Sequence, residues 1–121
     1  MAYILLADDD AAIVSLIQEH LEHGGHEVAA AYDGASAAEQ ARRRRPDLMI
    51  IDVNMPGLKG PEAFKSLDED LTRKTPAIFI SGLPADQARK LTFLPLWSRG
   101  LLLHKPVDLA KLDAAIAELL K

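Results

Sequence analysis

The sequence predicts an α/β fold, a doubly wound sheet of five parallel strands with helices on both faces. Short apolar runs alternate five times with stretches whose apolar residues recur at helical spacing. The runs are continuously apolar, as expected for parallel strands that are covered on both faces. The chain has 121 residues, 49% of them hydrophobic and 26% charged, so we expect one domain over residues 1–121.

The first half of the chain supplies three predicted strands and two helices. The strands are residues 3–7, 27–32 and 48–51. The first helix ends at Gly24-Gly25, and its apolar face is formed by Ile13, Val14, Ile17 and Leu21. The second helix ends at Pro46-Asp47 and has a small-residue face formed by Ala35, Ala38 and Ala41.

The second half supplies two more strands and three helices. The strands are residues 77–80 and 101–103. Pro61 suits the first turn of the third helix, and residues 85–94 form a fourth, which Pro95 breaks. The last helix is predicted from a face formed by Leu109, Leu112, Ile116, Leu119 and Leu120.

Chemically useful side chains follow these strands. Ligands of doubly wound sheets bind at the carboxyl ends of the strands, and the residues there are Asp8, Asp9, Asp33, Asp52, Ser81 and Lys105. If the strand order is 2-1-3-4-5, the first and third strands are neighbours, and Asp8, Asp9 and Asp52 converge. Clustered carboxylates raise one another's pKa unless a cation lies among them, which predicts a Mg²⁺ site.

One carboxylate of this group suits covalent chemistry. Asp52 stands alone at the tip of its strand and is the best candidate for a nucleophile that forms an aspartyl phosphate. Lys105 can pair with phosphoryl charge, and Ser81 can donate a hydrogen bond to one phosphoryl oxygen. Asp10 is predicted to cap the first helix instead, because aspartate is a preferred N-cap and suits the positive helix end.

Four motifs in order resemble the receiver domain of two-component response regulators, the flavodoxin-like domain of the bacterial chemotaxis regulator. They are LLADDDAAIV, IIDVNMPGLKG, IFISG and LLLHKPV, and the resemblance covers essentially the whole chain. It implies that Asp8 and Asp9 bind Mg²⁺, with Asp9 the more direct ligand, and that Asn54 contributes its backbone carbonyl. It also implies a phosphoacceptor role for Asp52.

The same resemblance assigns the remaining residues. Ser81 matches the switch Ser/Thr that bonds the phosphoryl group, and Gly82 matches the small residue that leaves the phosphate accessible. Lys105 matches the phosphate-contacting lysine, and its bond to Pro106 is implied to be cis. The implied function is acceptance of a phosphoryl group from a histidine kinase or phosphotransfer protein, without catalysis of any other reaction.

Two features depart from the family pattern. Leu102 stands where the family usually has the Tyr or Phe that reports phosphorylation. Residues 91–100, LTFLPLWSRG, predict a short or irregular fourth helix. The apolar residues around Trp97 are either buried by a rearranged loop or form an exposed patch for a partner or a homodimer. Receivers often signal through this face, formed by the fourth helix, fifth strand and fifth helix.

Composition excludes several classes of function. There are no cysteines, so disulfides, thiol catalysis and cysteine metal sites are ruled out. The net charge of -4 argues against a general nucleic-acid or anionic-membrane binder. No apolar run approaches the ~20 residues of a membrane span, and Asp8–Asp10 stand where a signal peptide would be apolar. A cytoplasmic protein is therefore expected.

Two alternatives and one unassigned motif remain. A small Mg²⁺-dependent aspartyl phosphatase or phosphotransferase would use the Asp8-x-Asp10 pattern, although no cap region for a substrate is evident. A flavin or nucleotide binder would need a Gly/Ser/Thr-rich phosphate loop after the first strand, where three aspartates stand instead. The run Arg42–Arg45 either complements the helix dipole as a solvated helix end or contacts a phosphate or partner.

Overall fold

The computed structural model describes residues 2–53, 73–82 and 99–121. The predicted third and fourth helices lie outside these ranges, and so do Asn54 and the region around Trp97. The prediction of a short or irregular fourth helix therefore stays a prediction.

The described elements form a five-stranded parallel sheet in the order β2-β1-β3-β4-β5, which confirms the fold class and the predicted strand order. The strands are β1 (Tyr3–Ala7), β2 (Glu27–Ala31), β3 (Leu48–Asp52), β4 (Ala77–Ser81) and β5 (Gly100–His104). The helices, numbered in chain order among the described residues, are α1 (Ala11–His23), α2 (Gly34–Arg43) and α3 (Leu109–Leu119).

The core lies on both faces of the sheet. Every residue of β3 and β4 is buried, whereas the edge strands β2 and β5 are largely half-buried or exposed. On one face α1 and α3 pack against alternate residues of the central strands, and α2 packs its small side chains on the other. Two-sided burial explains why these strands are continuously apolar. None of the helices in the described ranges has the length and apolarity to cross a membrane.

The three described helices all begin at an aspartate cap. The Asp10 carboxylate accepts hydrogen bonds from the backbone N–H groups of Ala12 and Ile13, at 3.0 and 3.4 Å. Asp33 and Asp108 cap α2 and α3 in the same way. Each cap satisfies helix N–H groups that have no partner inside the helix. The predicted capping role of Asp10 is confirmed.

Asp10→Ala is expected to lower the free energy of unfolding by about 1 kcal/mol, because α1 loses its capping acceptor. Urea unfolding measures this loss, and Asp33→Ala, which removes the cap of α2, should show a loss of similar size. Neither variant should alter the phosphorylation that the resemblance implies for Asp52. If Asp10→Ala alone abolished phosphorylation, Asp10 would belong to the site and not only to the helix.

Three expected positions differ in the structure. Tyr32 follows β2 instead of ending it and is 52% exposed. Ala35 is exposed because α2 begins at Gly34, so its inward face starts there and continues through Ala37, Ala38 and Ala41. Leu120 lies just past the end of α3 and is 37% exposed.

Candidate active site

The predicted site residues gather at the carboxyl edge of the sheet. The β1–β3 register pairs Ala7 with Ile51, so Asp8 and Asp52 occupy the next positions on adjacent strands. Backbone hydrogen bonds hold these strand ends: the N–H of Asp8 donates to the Ala31 carbonyl at 3.0 Å, and that of Lys105 donates to the Ser81 carbonyl at 2.8 Å. The ends of β1, β3, β4 and β5 therefore lie side by side at one edge of the sheet.

Asp8, Asp9 and Asp52 form a carboxylate cluster. One oxygen from each lies within 4.8 Å of the others, and no other group of three His, Cys, Asp or Glu residues within residues 2–53, 73–82 and 99–121 does so. Asp8 and Asp52 are each only 1% exposed, whereas Asp9 is exposed to solvent. The cluster is thus buried on two sides and open on one.

The two oxygens of Asp8 have different surroundings. Oδ1 accepts a hydrogen bond from the backbone N–H of Asp10 at 2.9 Å. Oδ2 is buried and has no hydrogen-bond partner in the part of the chain that the structure describes. Burial raises the pKa of Asp8 to about 6, and the carboxylate of Asp52 adds to the rise, while the Asp10 N–H and the Lys105 charge oppose it. A buried acceptor oxygen without a donor is suited to a cation.

Lys105 supplies positive charge to the cluster. Its Nζ donates to Oδ2 of Asp52 at 3.0 Å, with side-chain exposures of 28% and 1%. Partial burial lowers the pKa of the Lys105 ammonium, but the hydrogen bond to Asp52 and the charges of the aspartates outweigh it, so the pKa is raised. Among the described residues, one lysine ammonium is thus set against three carboxylates, and the excess negative charge favours a further cation.

These residues fit a divalent metal ion. Carboxylate oxygens are the ligands that Mg²⁺ prefers, and it keeps several waters, which the open side at Asp9 can admit. Asp8, Asp9 and Asp52 would hold the ion, and it would supply charge to neutralise phosphoryl oxygens at the site. The orphaned Oδ2 of Asp8 is the observation that supports this fit.

The other predicted site residues flank this cluster. Ser81 is completely buried at the last position of β4. A Cβ added to Gly82 would meet only the Lys105 side chain among the described residues, at 3.8 Å, so this side is sterically open. The Lys105-Pro106 bond is cis, as the resemblance implied. Leu102 is half-buried beside Phe79 and packs against the core on the α2 face of the sheet.

The sequence did not predict that the two carboxylate oxygens of Asp8 have different surroundings. An aspartate often accepts a hydrogen bond from the N–H two residues later, and Asp10 lies at that spacing, so a signal for this turn was present. No sequence signal predicts that Oδ2 remains without a donor. Asp33 also follows a strand and was a candidate for the site. Its carboxylate instead accepts a hydrogen bond from the N–H of Ser36 at 2.7 Å and caps α2, outside the cluster.

A parallel sheet in this order, with an acidic cluster and a lysine at its carboxyl edge, is the architecture of a signalling receiver. The family model of the response regulator receiver domain matches residues 4–117. The chain therefore belongs to the response regulator receiver domain family of two-component signalling.

Curated relatives are longer than this chain. The transcriptional regulatory protein CrdR of Helicobacter pylori is 35% identical over 113 residues, which are 93% of this chain and 52% of CrdR. The transcriptional activator protein PfeR of Pseudomonas aeruginosa is 34% identical over 120 residues, which are 98% of this chain and 37% of PfeR. The chain thus spans about half or less of the length of these two relatives.

Solved structures match the fold along nearly its whole length. The chemotaxis response regulator CheY4 of Vibrio cholerae is 28% identical, with a TM-score of 0.85 and coverage of 98% of both chains. A Francisella response regulator receiver domain is also 28% identical, with a TM-score of 0.83 and coverage of 99% of this chain and 97% of that one. These likenesses confirm the receiver fold.

Proposed function

We propose that this receiver domain accepts a phosphoryl group on Asp52 in a Mg²⁺-dependent reaction. The observation that carries the proposal is the buried Asp52 carboxylate, which lies within 4.8 Å of Asp8 and Asp9 oxygens and accepts a hydrogen bond from Lys105 at 3.0 Å. A carboxylate in such a site is a known type of nucleophile for phosphoryl transfer.

The transfer starts from a phosphohistidine of a histidine kinase or phosphotransfer protein. A carboxylate oxygen of Asp52 attacks the phosphorus, a P–O bond forms, and the P–N bond breaks as the imidazole leaves and gains a proton. Lys105 neutralises Asp52 before transfer and pairs with a phosphoryl oxygen afterwards. Ser81 would donate its hydroxyl to another phosphoryl oxygen, and Asp8, Asp9 and Asp52, with the Asn54 carbonyl that the resemblance implies, would hold the metal. The domain catalyses only its own phosphorylation and dephosphorylation.

The output is a change in protein contacts. The face around β5 and α3 carries Leu101, which is 36% exposed at the sheet edge. We propose that downstream partners, or a second copy of the chain, bind this face and the predicted fourth helix. Leu102 lacks the hydroxyl and ring of the usual aromatic, so the aromatic readout of phosphorylation is missing at this position.

Phosphorylation with a small-molecule donor tests the proposal. The protein is incubated with acetyl phosphate and Mg²⁺, and intact mass is measured over time. We expect one phosphoryl group per chain with Mg²⁺, none with excess EDTA, and none in Asp52→Asn.

Asp33→Asn is the matched control, because Asp33 is an aspartate at the same sheet edge outside the cluster, and it should be labelled like the wild type. Labelling of Asp52→Asn would contradict the assignment. Turnover of a phosphate ester without a stable label would favour the alternative, a small Mg²⁺-dependent aspartyl phosphatase.

A further inference from the structure

Most lysines and arginines of the described residues lie at one edge of the sheet. Every lysine and arginine in residues 2–53, 73–82 and 99–121, apart from Lys105 and Lys111, lies near a helix C-terminus or just before a strand. Because the strands are parallel and the helices return antiparallel to them, these positions share the amino-terminal edge, opposite the acidic site. All of these lysines and arginines are exposed. Cations therefore concentrate at this edge, here called the basic edge, although Glu27 and Asp47 lie at it too.

A cavity of about 550 Å³ opens at this basic edge. Its lining combines apolar and cationic residues. The apolar part is formed by Ala2, Pro76, Leu119 and Leu120. The cationic part is formed by Lys74, Arg99 and Lys121, with His26 beside them. Leu120, at 37% exposure, is one of the few large apolar side chains on the described surface.

Contacts within the protein fix the walls of this cavity. The Arg99 guanidinium donates to the Leu119 carbonyl and so ties the start of β5 to the end of α3. Asp47 is the carboxylate in the lining, and its Oδ2 accepts the N–H of Tyr3 at 2.7 Å. The wall is therefore held by backbone-anchored contacts, and Lys74 and Lys121 are exposed residues of the lining.

We propose that this basic-edge cavity, lined by Ala2, Lys74, Arg99, Leu120 and Lys121, binds an acidic segment of a partner protein. One apolar side chain of the segment packs against Ala2 and Leu120 on the floor of the cavity. The carboxylates of the segment face Lys74 and Lys121. Charge complementarity selects the acidic partner, and the apolar floor selects a side chain rather than a bare anion. The site is separate from Asp52 and does not rest on phosphorylation.

The observations favour a protein over a nucleic acid. A phosphate backbone is read by polar and cationic groups and has no apolar side chain to fill the floor. A short acidic segment stays at this edge, whereas a long polyanion that reaches the opposite edge meets the carboxylate cluster there.

Titration with model ligands tests the proposal. The probe is a fluorescent nonapeptide of glutamates with one central leucine, and binding is followed by anisotropy. We expect a Kd of about 0.1–1 mM at low salt and weaker binding as salt is added. Lys74→Glu/Lys121→Glu should weaken binding about tenfold, whereas Lys111→Glu, which reverses a lysine away from this edge, should not.

Further comparisons separate the competing ligands. A peptide with serine in place of the leucine should bind less tightly, and Leu120→Ser should remove that difference. Both charge variants should keep wild-type circular dichroism and labelling of Asp52. Equal binding by the double variant, no binding at about 1 mM peptide, or tighter binding of a DNA duplex or anionic vesicles would overturn the proposal.

Discussion

Asp8→Asn is expected to raise the free energy of unfolding of the metal-free protein at pH 7 by about 2–3 kcal/mol. Asparagine keeps an oxygen that accepts the Asp10 N–H, which now bonds Oδ1 of Asp8 at 2.9 Å. It removes a buried negative charge that lies beside Asp52 and has an oxygen without a donor in the described part of the chain. Urea unfolding in EDTA measures the gain.

The pKa of Asp8 determines whether the stability of the protein rises or falls with pH. Burial raises the pKa of Asp8 from its ordinary 3.8 to about 6 in the folded protein. Between these two values the folded state binds more protons than the unfolded state, so stability falls as pH rises through this window. Above the pKa of Asp8 in the folded protein, the loss of stability caused by its buried charge is complete. In Asp8→Asn this part of the pH dependence should disappear.

Mg²⁺ should reverse the order of stability. Metal that binds only the folded state stabilises the wild type by mass action, and Asp8→Asn should lose most of this response with the ligand. Asp9→Asn is the matched control: Asp9 is exposed, so its change should alter metal-free stability by less than about 0.5 kcal/mol while also weakening the Mg²⁺ response. A destabilised Asp8→Asn in EDTA would contradict the proposed cost of burying the Asp8 charge.

Lys105→Met is expected to cause the second large change in stability, in this case a loss. It keeps the aliphatic stem but removes the ammonium that donates to Asp52 at 3.0 Å. Asp52 is 1% exposed, so its carboxylate loses a charged partner it cannot replace with bulk water. We expect the metal-free protein to lose about 1–3 kcal/mol of stability. This loss is smaller than for a fully buried ion pair, because Lys105 is 28% exposed.

A double-mutant cycle isolates this interaction. Asp52→Asn should restore most of the stability that Lys105→Met removes, because the buried negative charge is gone. Lys111→Met, which removes an exposed lysine of α3, is the control and should leave stability nearly unchanged. Additive effects of Lys105→Met and Asp52→Asn would mean that the pair contributes nothing to the fold.

The sequence predicted the features of this molecule that depend on pattern. Continuous apolar runs placed β1 and β3 to within one residue, and alternation with helices predicted the parallel topology. The strand order, taken from doubly wound sheets in general, is the one observed. The rule that ligands bind at the carboxyl ends of the strands correctly predicted that Asp8, Asp52 and Lys105 lie together. These predictions succeeded because they rest on the backbone geometry of a parallel sheet.

Other features depend on the exact ends of elements. Ala35 and Leu120 lie within one residue of a helix end, where a shift of a single position turns a side chain from core to solvent. The orphaned oxygen of Asp8 depends on side-chain rotation, which no sequence period describes. The basic edge arises because arginines and lysines distant in sequence end helices or precede strands on the same side of the sheet.

The most direct test of the central claim is chemical mapping of the phosphorylated residue. Borohydride reduces an aspartyl phosphate to homoserine, and peptide mass spectrometry then reports which aspartate was converted. After incubation with acetyl phosphate and Mg²⁺, the assignment of Asp52 predicts homoserine at position 52 alone. Homoserine at position 8 or 9, or stoichiometric labelling without conversion at 52, would contradict it.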